Sequence, residues 1–205
     1  MAAIATTADG EYIYLALDLV SSGTPLILRC SRSSLATFTV VFLPVAGTAC
    51  NILPDPSDPD RMLFYGNFAP DITVVSHVVS TDAETNISPP GLGANEVNCL
   101  AVDPNNPLEI WATVTGTQDL LRTIDGGANW TTLDNALGFD PTAMAILFGS
   151  ETEYHIGYIA GDNLTDLDLL YTANEGAAFR DYAGAALGAE TNICGVEIGL
   201  AEVEA

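Results

Sequence analysis

The stretch "RTIDGGANWTTL", residues 122–133, decides how this chain is read. Asp125-Gly126-Gly127 is a tight-turn sequence. Glycine enters the φ > 0 region without steric cost, and an Asp side chain accepts hydrogen bonds from backbone N–H groups close by in sequence. Thr123 stands two residues before the Asp, and Trp130 follows five after it. An Asp in such a place is either a brace for the turn or a chemical group, and which of the two depends on whether the stretch is single or repeated.

It is repeated. Ser80-Thr-Asp82-Ala-Glu-Thr-Asn86-Ile87 comes before it, and Thr172-Ala-Asn174-Glu-Gly-Ala-Ala178-Phe179 comes after. Near the start lies Ser31-Arg-Ser33-Ser-Leu-Ala-Thr37-Phe38. Each has a hydroxyl residue, a short polar residue two on, and a bulky apolar residue five beyond that. The anchors Phe38, Ile87, Trp130 and Phe179 are 49, 43 and 49 residues apart. Cys50, Cys99 and Cys194, at spacings of 49 and 95, mark the same period at the head of an apolar strand. A Pro/Asp/Asn-rich turn follows, so that "NILPDPSDPDRMLFYGN" lines up with "CLAVDPNNPLEIWATV".

Helical periodicity is missing between these markers. Short runs such as "EYIYLALDLV", "TPLILRC", "TFTVVFLP" and "DITVVSHVV" are rich in β-branched and aromatic residues, and Gly, Pro, Asn and Asp punctuate them. That is an all-β pattern. Each repeat holds four strands, in the third at about 97–102, 109–114, 119–124 and 129–133. Four-stranded units at this period predict a β-propeller of four-stranded antiparallel blades. The expectation is a single domain over 1–205 with blades at about 1–46, 47–94, 95–141 and 142–189. Residues 190–205, "ETNICGVEIGLAEVEA", read as an extra C-terminal strand that closes on the first blade or is exchanged with another subunit, because an unpaired strand edge invites pairing.

"VDPNNPLEIWATV" followed by "LLRTIDGGANW" resembles the Asp-box (bacterial neuraminidase repeat) propellers, whose pattern is Ser/Thr-x-Asp-x-Gly-x-Thr-Trp. Thr123, Asp125, Gly127, Asn129 and Trp130 occupy that pattern, with Asn129 in place of the usual Thr. The third copy is the close one. The second lacks both glycines and the tryptophan, the fourth has Asn174 for the Asp, and the first has Ser33. Sialidases, xyloglucan-type glycosidases, sortilin-like receptors and photosystem assembly factors all share such repeats, so the resemblance implies a fold more than an activity. In that family the boxes sit on the blade periphery, away from the axial site. The resemblance therefore implies that Asp125 is a turn brace and Trp130 a wedge between sheets.

Charge narrows the partners. The chain has 27 Asp and Glu against five basic residues, all arginine, for a net charge of -22. Such a surface repels phosphate backbones and anionic lipid, which sets aside nucleic acid and membrane surfaces. "MAAIATTADG" has no signal-peptide pattern, and no run approaches the ~18 apolar residues of a membrane span. A sialidase-like site clamps its substrate with three arginines. Here Arg29 and Arg122 fall on third strands, Arg32 and Arg180 in or beside boxes, and Arg61 in a turn, so no clamp is expected.

His77 and His155 stand alone in strand runs and read as structural or surface residues. Asp55, Asp58 and Asp60 of "DPSDPD" and Asp162, Asp166 and Asp168 of "DNLTDLD" are the calcium candidates, since hard cations take clustered oxygens. Turn chemistry is the favoured explanation of both clusters, and no cofactor is expected. The recurring cysteines read as small buried residues near the axis, with Cys30 apart on a third strand.

The sequence thus points to a non-catalytic structural or interaction module in an extracellular, surface or virion assembly, working through self-association or a larger protein assembly. An assembly factor for a larger complex is a related expectation. The alternative is a carbohydrate-binding or glycoside-hydrolase-like propeller, with two carboxylates ~5–10 Å apart and stacked aromatics such as Trp111, Tyr65 or Tyr158.

Overall fold

In each repeat, consecutive strands pair antiparallel with their sequence neighbours, so every repeat folds back on itself as a meander. The computed structural model of the protein describes residues 3–19, 24–42, 47, 49–69, 71–134, 137, 140–147, 156–162, 167–172 and 180–181, the backbone alone from 156 onward. They form four antiparallel four-stranded sheets, each in simple sequence order, and no helix. The first sheet is β1 (Ala3–Thr6), β2 (Tyr12–Leu19), β3 (Thr24–Ser31) and β4 (Thr39–Phe42). The second is β5 (Ala49–Pro54), β6 (Arg61–Ala69), β7 (Ile72–Val78) and β8 (Ala83–Asn86). The third is β9 (Glu96–Val102), β10 (Ile110–Thr115), β11 (Asp119–Thr123) and β12 (Thr131–Asp134). The fourth is β13 (Asp140–Leu147), β14 (Ile156–Asp162), β15 (Leu167–Thr172) and β16 (Arg180–Asp181). Residues 173–179 of the fourth box copy, and the extra strand expected at 190–205, lie outside the described residues.

Side chains alternate between the two faces of a strand, and in the middle sheets both faces are apolar. Tyr14, Ala16 and Ile27 of the first sheet pack against Cys50, Ile52, Met62, Phe64 and Val75 of the second. The next residues along the strands, Leu63 and Val74, meet Val97, Leu100, Ile110, Ala112, Val114 and Leu121 of the third. Trp111 and Leu120 on the third sheet's other face meet Met144 and Ile146 of the fourth. Three cores therefore join four sheets in sequence order. Among the described residues β13 packs on β9 and β10, and no strand of the fourth sheet packs on the first as successive sheets pack on each other. The described sheets form an open arc.

One placement differs from the sequence expectation. Arg61 heads β6 and is not in the turn, because the Asp55 N–H donates to the Arg61 carbonyl at 3.1 Å and closes the turn before it.

Candidate functional site

The third-sheet box is a turn brace built from its own residues. Thr123 ends β11, and its hydroxyl donates to Asp125 Oδ1 at 2.8 Å. The same hydroxyl accepts from the Gly127 N–H at 3.0 Å. Asp125 then takes the Asn129 N–H at 2.8 Å and the Asn129 side-chain amide at 2.7 Å. These donors, Asn129 first, hold the Asp125 carboxyl below the usual carboxylate range. All its partners lie within the turn, which is a bracing role.

Trp130 carries the turn into the neighbouring sheet. Its Nε1–H donates to the Ile87 carbonyl at 2.9 Å, and its ring packs on the core between the second and third sheets. Trp130→Phe keeps most of the ring contact and removes that donor. The expected cost is about 1 kcal/mol, measured by urea denaturation, and an unchanged midpoint would show that the bond contributes nothing.

The other copies diverge. Ser31 and Ser33 repeat the start of the brace, with Oγ atoms 2.8 Å apart and the Ser33 N–H donating to Ser31 Oγ. The second copy is not a box. Ser80 instead caps Asp60, through its N–H at 2.7 Å and its hydroxyl at 2.8 Å. Asp82 leaves its own turn to pair with Arg29 of the first sheet at 2.7 Å. Without the two glycines the chain turns through Asp82 itself, at φ 54, and β8 begins at the next residue.

Three of the calcium candidates, Asp55, Asp58 and Asp60, make hydrogen bonds and an ion pair within the chain. Asp55 is buried. Its Oδ1 accepts the Ser57 N–H and hydroxyl, and its Oδ2 pairs with Arg61. Asp58 accepts the Asp60 N–H, and Asp60 holds Ser80. These oxygens face separate partners and do not converge on one point. Among the described residues no group of three His, Cys, Asp or Glu could hold a metal ion. The side chains of Asp162, Asp166 and Asp168 lie outside the described residues.

Two arginines bridge sheets and a third is held inside its own. Arg29 donates to the Val79 carbonyl at 2.8 Å across to the second sheet and lies over the Tyr12 ring. Arg61 reaches the Pro107 carbonyl in the third sheet's first turn. Arg122 pairs with buried Glu109 at 2.8 Å and lies over the Trp111 ring, and the Trp111 indole N–H shares the same carboxylate oxygen at 2.9 Å. Trp111 is buried in the third core and Tyr65 packs on the second, so neither stands in a cleft; the side chain of Tyr158 is not among those described. Cys30, Cys50 and Cys99 are buried free thiols, and burial pushes Cys50 up to about 12 and Cys99 in the same direction, away from nucleophilic use.

His77, read from the sequence as a structural or surface residue, is fully buried. It lies in the joint between the first and second sheets, stacked on Phe64 at 5.0 Å, with Nε2 3.2 Å from the Tyr14 hydroxyl. Burial lowers its pKa, while Asp82, 3.7 Å away, pulls the other way; Arg29 lowers it and Asp60 raises it. A histidine held neutral contributes fully above its unfolded value of about 6.5 and loses that contribution as pH falls toward the depressed folded value. Stability should therefore drop on acidification below about 6.5. Comparing denaturation midpoints across that window with those of His77→Phe, which should lose this part of the slope, checks it.

The first sheet shows what the joints leave unused. Its register aligns Ile4, Leu15, Leu28 and Val40 in one row across all four strands. Ile13, Leu17 and Leu26 belong to the same face by alternation. Ile4 is 71% and Val40 53% exposed, and none of these side chains belongs to the three cores. Sequence reasoning missed this face. The signal was present, because "YIYLAL" and "PLIL" are continuous apolar runs, which mark strands meant for burial on both sides.

No family model matches the sequence, and no curated protein matches it. Solved structures do. A xyloglucanase of the GH74 class from Xanthomonas campestris superposes with a TM-score of 0.59 at 16% identity, over 88% of this chain and 30% of that one. YCF48 from Cyanidioschyzon merolae gives 0.55 at 15% identity, over 77% and 46%. A chain of the COPII outer coat vertex on membranes gives 0.60 at 10% identity, over 87% and 49%. These are β-propeller proteins. The sheets are propeller blades. The chain spans less than half the length of each of these three, and at such identities the likeness is one of fold alone.

Proposed function

We propose that the protein is a non-catalytic propeller module of the Asp-box type that works through protein–protein contacts, in an extracellular, cell-surface or virion assembly. The observation that carries this reading is the apolar row Ile4–Leu15–Leu28–Val40 on the outward face of the first blade. A row of large apolar side chains spanning a whole sheet is an interaction surface, not a solvated one. The commitment of Arg29, Arg61, Arg122 and Asp125 to contacts between and within blades supports it, since those groups are held by the fold. The partner is a further copy of the chain or a larger protein assembly.

The likeness to a xyloglucanase supports a second reading, a carbohydrate-binding or glycoside-hydrolase-like propeller. A polysaccharide hydrolysis screen that includes xyloglucan, read by reducing ends, together with a glycan array, separates the two. Neither turnover nor glycan binding is expected. Turnover that is lost on replacing one axial carboxylate would overturn the first reading.

A further inference from the structure

We infer that the outward face of the first blade is an inter-blade face completed by the fourth blade of a second copy of this chain, so that two arcs close head to tail into one ring. This rests on the interaction-module reading above and names its partner.

The equivalent faces within the arc tell what such a face takes. The second blade turns Met62 and Phe64 toward the first, and the third turns Ile110, Ala112 and Val114 toward the second; all five are buried there by the preceding sheet. The first blade presents Ile4, Ile13, Leu15, Leu17, Leu26, Leu28 and Val40 on the corresponding side. Its rim is built the same way. Trp130 stands directly before β12, whose Thr131 pairs with Arg122, and Phe38 stands directly before β4, whose Thr39 pairs with Arg29. Trp130 lies against Ile87 of the preceding blade, whereas Phe38 is 44% exposed and Leu35 beside it 59%. Phe38 is thus an inter-blade wedge without its blade.

Area distinguishes a closed pair from a single contact. The four strands have 4, 8, 8 and 4 residues. At ~3.3 Å per residue and ~4.8 Å between strands, the face projects roughly 400 Å². A specific interface needs about 800 Å² from each partner. One such contact falls short. A two-fold ring in which each copy gives both its first and its fourth blade reaches on the order of 800 Å² per copy, and it leaves no open end.

Sedimentation velocity across a wide dilution series, with native mass spectrometry, tests this. The full chain should run at twice its 21.5 kDa mass. The double variant Ile4→Glu/Val40→Glu places charge on two exposed positions and should halve the mass with an unchanged circular dichroism spectrum. Ile124→Glu, an exposed position in the third blade's outer turn, should leave the double mass intact. The inference fails if the wild type stays at single-chain mass throughout, if its mass keeps rising with concentration, or if the double variant still pairs. A single-chain mass without polysaccharide turnover would remove the ring and keep the interaction-module reading. Turnover would remove that reading whatever the mass.

Discussion

Glu109→Ala should lower stability by about 3–5 kcal/mol, the range for removing one partner of a buried ion pair. Glu109 is 4% exposed and one of its oxygens serves two donors, the Arg122 guanidinium and the Trp111 indole N–H. Arg122 lies over the Trp111 ring, and Trp111 with Leu120 forms the third blade's contribution to its core with the fourth. Alanine removes the carboxylate, opens a void beside a buried indole, and takes away the acceptor that the guanidinium and the indole N–H share. Glu109→Gln keeps the shape and one acceptor oxygen, so it should cost distinctly less. Urea denaturation of both variants gives the comparison. Equal losses would show that charge is irrelevant there, and a loss below about 1 kcal/mol, the level of exposed pairs, would show that the triad is no more than a surface pair.

Gly127→Ala should cost about 3 kcal/mol, from strain and overpacking together. Gly127 sits at φ 96, where an L side chain is strained. A methyl group there would stand 2.6 Å from Ile87 Cβ and 2.8 Å from the Ile87 carbonyl oxygen, which already receives the Trp130 indole N–H. The added carbon must push the second and third blades apart or tilt the box. Gly126→Ala is the internal control. It shares the positive φ, at 73, but its nearest neighbour is the flexible end of Leu108 at 3.2 Å. It should cost only about 1 kcal/mol of backbone strain. Equal costs for the two would mean that the close approach at Ile87 carries no energy.

The fold was legible because its signals are local. The Asp-Gly-Gly turn, the Pro/Asp turns and the short apolar runs place four strands per repeat, and the period ties the repeats together. Copies of the box were harder to place. Ser80 matches the spacing of Thr123 but caps Asp60 instead, because a turn can reach the same chain reversal with different donors. The Asp55–Asp60 cluster offered oxygens for turns or for a cation, and which groups engage them was not legible: Arg61 and Ser57 meet Asp55. That partner choice depends on where β6 begins, which composition does not encode. The open face of the first blade was equally hidden, because apolar runs state that a strand is covered on both sides and not what covers it.

The placement of the arginines has one more consequence. The chain contains no lysine, so trypsin has only five bonds to cut. Arg29 is anchored across the first joint and Arg61 across the second, while Arg122 is held inside the third blade by Glu109 and the Trp111 ring. In the folded chain each of these three bonds is shielded by the contact its own side chain makes. A protease digest followed over time would therefore report the order in which the first joint, the second joint and the third blade loosen, one fragment pair for each, with no label added to the protein.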